Sequence, residues 1–127
     1  MLMDTLSKLS APIIGFLVTV VFGFWLSKLG KPYNGILFNV HKLIALGTVI
    51  VTGTQIYGTF KTLDAQTLLI LLTIVMGLCV VALFASGAFL SIGNLNYAVV
   101  LTVHRVALVL GSVAIVMLIY LLYRSLL

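Results

Sequence analysis

An all-α integral membrane protein, four transmembrane helices in an up-down-up-down bundle, is the fold class this sequence predicts, and three observations predict it. Hydrophobic residues make up 63% of the 127 positions and charged residues only 7%, with a mean hydropathy of +1.35, far from the composition of a soluble domain. Four apolar stretches, at about 11–29, 35–60, 67–92 and 97–123, each reach the roughly 20 residues that a helix needs to cross a bilayer core about 30 Å thick. The stretches are continuously apolar and much longer than the ~10 alternating residues of a barrel strand, so helix is expected over strand.

The first stretch follows a short amphiphilic start, MLMDTLSKLS, and is too long for a signal-peptide apolar region; it is expected to be retained. SKLGKPYN joins it to the second stretch, and there Gly30 and Pro32 stop one helix before the next begins. The second stretch carries polar residues at a seven-residue interval, Asn34, His41, Thr48 and Gln55, with Thr52 and Thr59 adjoining. Such a stripe is packing glue between helices or, on the functional reading, a quinone-headgroup contact or short water path. KTLDAQ forms the second connection and SIGNLN the third, the latter with the turn formers Gly93, Asn94 and Asn96. Loops this short force neighbouring helices antiparallel, which makes the chain a single transmembrane domain, residues 1–127, with the second and fourth helices parallel.

Two halves of the chain resemble each other, about 11–60 and 67–123. GFWLS at 23–27 matches GAFLS at 87–91, an offset of 64, and VHK at 40–42 matches VHR at 103–105, an offset of 63, as Ile56 and Tyr57 match Ile119 and Tyr120. A duplicated hairpin contributes one histidine from each half, and His41 and His104 are the only histidines in the chain. They lie six and seven residues into their helices, roughly 10 Å from the face that carries the first and third loops.

A matched pair of imidazoles at one depth suits a planar ligand that takes one axial nitrogen from each side, as the iron of a haem does. Small residues near the pair, Ala45 and Gly47 on one helix, Ala107 and Gly111 on another, with Gly23 and Gly87 at comparable depth, leave clearance for a macrocycle. Lys42 and Arg105, with Lys28 and Lys31 beyond them, can meet the two propionates by snorkelling. No CxxCH motif is present, so one noncovalent haem b per chain is the expectation. Other readings of the histidines are interhelical hydrogen bonding and a zinc site, the latter short of the three or four protein ligands that zinc requires. Met76 and Met117 are thioether candidates that read better as gap-filling core residues, and Cys79 reads as a small buried hydrophobe.

These residues resemble the bis-histidine membrane b-type cytochromes, in particular a minimal relative of the cytochrome b-561 superfamily. The VHK and VHR stretches are similar to that family's ligand helices, and only His41 and His104 correspond, as axial ligands. The family typically has four such histidines and two haems; this chain has two histidines, so the resemblance implies one haem near one face and argues against electron transfer across the whole membrane by a single copy.

The expected function is electron transport to or from a quinol or redox protein partner, as a carrier more than as an enzyme, with a membrane oxidoreductase the other possibility. Alternatives from other classes are a small four-helix transporter or channel subunit that uses the histidines for proton coupling, and a haem-bearing anchor of a larger redox complex. Against the first, the only acids, Asp4 and Asp64, lie outside the apolar stretches. The net charge of +5 comes from seven scattered Lys and Arg residues, a poor surface for nucleic acid. The partners expected are the lipid bilayer and, left open, a second copy of the chain, in an inner (plasma) membrane of the prokaryotic type. Orientation stays open: four basic residues (Lys28, Lys31, Lys42, Arg105) on one face oppose three (Lys8, Lys61, Arg124) plus the two acids on the other.

Overall fold

A computed structural model describes residues 2–62 and 67–126. Four helices account for nearly all of them: α1 (Leu2–Leu29), α2 (Gly35–Thr62), α3 (Thr67–Ile92) and α4 (Tyr97–Leu126). Each is long and apolar enough to cross a membrane. The chain divides into two compact units, Met1–Asp64 and Ala65–Leu127, so each half of the sequence similarity falls within one unit. The connection at 63–66, which includes Asp64, lies outside the described residues.

The starts of α2, α3 and α4 coincide with the expected boundaries, and for α2 and α4 the chemistry that sets them is local. Gly30 and Gly93 adopt φ of 69° and 76°, left-handed values that a side chain disfavours, and their N–H groups close the preceding helices on Leu26 and Phe89 carbonyls at 3.1 and 3.0 Å. Asn34 and Asn96 then cap the next helices. Asn34 Oδ1 accepts from the Ile36 and Leu37 N–H groups at 3.0 and 3.1 Å, and Asn96 Oδ1 from those of Ala98 and Val99 at 3.1 and 3.4 Å.

α1 begins well before the apolar stretch that announces it. Asp4 sits in the first turn, where a negative charge complements the helix dipole, and pairs with Lys8 one turn on at 2.9 Å. The hydrogen bond and charge of Lys8 hold the Asp4 carboxyl below its ordinary pKa. Ser7 and Ser10 hydroxyls donate to the carbonyls of Asp4 and Ser7. Polar side chains thus extend the helix outward from the apolar region, a helix signal that hydropathy does not register. Pro12 is accommodated inside α1.

Within each unit the two helices form an antiparallel hairpin, because contacts advance along one helix as they retreat along the other. In the first, Gly15 faces Thr48 and Gly23 faces His41; in the second, Cys79 faces Gly111 and Gly87 faces His104. Burial in the second hairpin follows a seam of threes and fours: Leu69, Leu72, Cys79, Ser86 and Leu90 on α3, with Val100, Ala107, Gly111, Ala114 and Leu118 on α4. Without a hydrophobic drive between helices in lipid, such a seam gains from the close approach that its glycine and alanines permit. Cys79 is a free, buried thiol, as a small hydrophobe would be. Met117 is instead 46% exposed and fills no gap in this seam.

Candidate functional site

The two histidines are half-buried, each on the second helix of its hairpin, and each ring is fastened through Nδ1 to the first helix. His41 Nδ1 lies 3.0 Å from the Thr19 main-chain carbonyl. A carbonyl only accepts, so Nδ1 carries the proton and the neutral ring has its lone pair on Nε2.

Gly23 explains how the ring reaches that carbonyl. In a helix the carbonyl of residue 19 points toward residue 23, where a side chain would stand in the way. A Cβ on Gly23 would come 3.0 Å from His41 Cε1, closer than real Cβ atoms ordinarily approach a neighbour. The glycine is therefore clearance for the imidazole itself.

The second hairpin reaches the same outcome by another route. His104 Nδ1 lies 2.8 Å from Ser86 Oγ, and that hydroxyl lies 2.6 Å from the Ala82 carbonyl and 3.2 Å from that of Leu83. A hydroxyl can donate and accept at once: with its one proton on a carbonyl, its oxygen is the acceptor for His104 Nδ1–H. In that arrangement the neutral ring's lone pair again falls on Nε2. Leu83 stands 64 positions after Thr19, so the carbonyl reached directly in the first hairpin is reached through a serine in the second. The ring correspondingly stands further off: a Cβ on Gly87 would meet His104 Cε1 at 3.8 Å, ordinary contact.

The remaining sequence candidates divide. Gly23 and Gly87 are brought to the histidines of their own hairpins. Gly111 is buried two turns along α4 from His104, and a Cβ there would meet Cys79 Cβ at 3.4 Å, so it serves the α3–α4 seam. Gly47 is exposed, with no atom within 4 Å of where its Cβ would stand, and Ala45 is half-buried. Ala107 is buried at 6% exposure in the α3–α4 seam.

Lys42 and Arg105 are both exposed. The Lys42 ammonium lies 4.3 Å from the centre of the Phe38 ring, one turn back toward the loop, and Phe38 stacks on Tyr33 at 6.0 Å. Lys28 likewise sits over Phe24 and Lys31 over Tyr33, at 5.4 and 5.9 Å. Aromatic faces thus hold three cations at the loop end of the first hairpin, in the manner of snorkelling side chains at an interface.

The polar stripe of α2 lies largely satisfied by its own helix. Asn34 is the cap, Thr48 and Thr52 hydroxyls donate to the Ile44 and Thr48 carbonyls, and Thr59 donates to that of Gln55. Gln55 Oε1 is buried without a hydrogen-bond partner. Among the described residues no group of three His, Cys, Asp or Glu side chains converges as a zinc site would require.

Sequence reasoning missed Thr19 and Ser86. Thr19 acts through its main chain and left only an indirect signal, a glycine four residues on. Ser86 left a direct one, a polar side chain immediately before the glycine of GAFLS in a strongly apolar helix. Compared with known protein families, characterised proteins and solved structures, the chain finds no match.

Proposed function

We propose that this protein is a small membrane-embedded b-type cytochrome that holds one haem b noncovalently, with His41 and His104 as axial ligands, and exchanges electrons with a quinol or a redox partner. One observation supports the reading: both imidazoles are engaged at Nδ1 by an oxygen of the neighbouring helix, so Nε2 is the nitrogen each would offer a metal. Metal-binding histidines characteristically have the other ring nitrogen fixed in this way, which sets the tautomer and ring orientation and strengthens the donor. The donor set fits the group, since a six-coordinate haem takes two axial nitrogens and the chain has two histidines.

Duplication of an ancestral hairpin accounts for the pairing, and support for it comes from contacts that recur at the offsets of the sequence similarity. Gly23–His41 corresponds to Gly87–His104, and Gly15–Thr48 to Cys79–Gly111, with the small partner exchanged between helices. Lys42 and Arg105 are exposed and cationic one residue after each histidine, and could pair with propionates. Haem would supply the redox couple; Thr19 and Ser86 would orient the imidazoles that hold it, and Lys42 and Arg105 would balance its propionate charge. With both axial positions taken by histidine, electron transfer is favoured over binding of small molecules such as oxygen.

Protein expressed with haem available and purified in detergent is expected to give a low-spin b-type spectrum on dithionite reduction. His41→Ala and His104→Ala are each expected to abolish the low-spin signal; its survival in both variants would falsify the assignment. A second reading, a proton-coupled transporter or channel subunit, draws on the polar column of His41, Thr48 and the unpartnered Gln55 Oε1. Colourless protein with histidine-dependent flux in vesicles would select it.

A further inference from the structure

Ser86 is 4% exposed, a polar side chain inside the apolar α3–α4 seam. Placing a hydroxyl there costs free energy unless it is hydrogen-bonded. Back-bonding to a carbonyl one turn earlier meets that need by itself, and Thr73 in the same helix does no more. Ser86 goes further, since its oxygen stands 2.8 Å from His104 Nδ1 as well as within hydrogen-bonding distance of the Ala82 and Leu83 carbonyls.

We infer that Ser86 is a positioning residue for His104: by accepting the Nδ1 proton it fixes the ring's tautomer and sets its strength as a haem ligand, making the two axial ligands chemically unequal. The inference rests on the haem reading and adds to it a residue that neither the histidine motif nor its basic neighbours supply. A hydroxyl that donates its own proton to carbonyls is polarised and becomes a better acceptor. Donation from Nδ1–H into that oxygen enriches the imidazole in electron density, which favours the ferric over the ferrous state. His41 meets a carbonyl that belongs to the α1 backbone, whereas His104 meets the hydroxyl of a side chain.

Ser86→Ala removes the acceptor with little change in volume and keeps both histidines. The expected result is haem that is still low-spin but has a more positive midpoint potential, an altered largest ferric g-value in electron paramagnetic resonance, and a larger fraction that binds carbon monoxide when reduced. Ser86→Thr, which restores a hydroxyl, is expected to return all three toward the parent values. A Ser86→Ala protein with the parent potential, g-values and carbon monoxide reactivity overturns the inference while leaving haem ligation intact. Should the parent protein bind no low-spin haem, histidine ring 15N shifts of the haem-free protein in micelles test the same hydrogen bond without the cofactor. Ser86→Ala is then expected to lose the Nδ1–H preference of one histidine and keep that of the other; unchanged shifts sink the inference.

Discussion

The two hairpins hold equivalent histidines with different materials. Between α3 and α4 the seam is apolar and close, built from leucines, Ala107, Ala114 and Gly111, with Ser86 as its buried polar member. Between α1 and α2 it is polar and thinly covered: among the described residues Leu26 is the buried apolar one there, at 6% exposure, and the positions facing α1 include His41 and Thr48. Where the packing is apolar, the ring stands further from its glycine and a side chain spans the gap; where it is polar, the ring closes directly onto main chain. Imidazole orientation therefore depends on a carbonyl or hydroxyl within reach, and either kind of seam can supply one.

The comparison can be broken first at the close contact between Gly15 and Thr48. A Cβ on Gly15 would collide with the Thr48 hydroxyl, which is engaged with the Ile44 carbonyl. Gly15→Ala is expected to destabilise the protein by about 1–3 kcal/mol in detergent unfolding, as overpacking does. The double variant Gly15→Ala, Thr48→Ala should recover most of the loss; simple additivity would show that the two positions are not in contact.

Gly23 and Gly87 sharpen the comparison. Alanine at 23 must push His41 aside by a few tenths of an ångström, whereas alanine at 87 meets only ordinary contact. Gly23→Ala is expected to perturb the haem spectrum and lower stability by about 1 kcal/mol, and Gly87→Ala to leave the spectrum as it was. Equal effects in the two variants would contradict the different stand-off of the two rings.

The caps give the smallest difference. Loss of an N-cap asparagine typically costs about 1 kcal/mol, so Asn34→Ala should fall near that value in thermal unfolding. Asn96→Ala should cost somewhat less, because its second bond is stretched to 3.4 Å.

Most of the fold was legible because apolar length is what a bilayer selects, and because Gly30, Pro32, Gly93 and Asn96 mark helix ends by local chemistry alone; Asn34, read as part of a polar stripe, is a cap. The start of α1 was not, since Asp4, Lys8, Ser7 and Ser10 stabilise helix without being apolar. Of the site, His41 and His104 stood out as the only histidines, in matching surroundings. Their anchors did not, because the Thr19 carbonyl is a property of every residue type, and the meeting of Ser86 with His104 depends on how α3 lies against α4. Likewise Gly111 reads as room for a ring until the structure sets it against Cys79.

The Thr19 carbonyl has a consequence for the history of such a chain. Main-chain acceptors are inherited with the polypeptide, so drift at position 19 leaves the fastening of His41 in place. Position 86 has no such insurance: its acceptor exists only while the codon spells a hydroxyl. Purifying selection on imidazole orientation would therefore be visible at the side chain of residue 86 and silent at that of residue 19, although the two positions serve the same purpose.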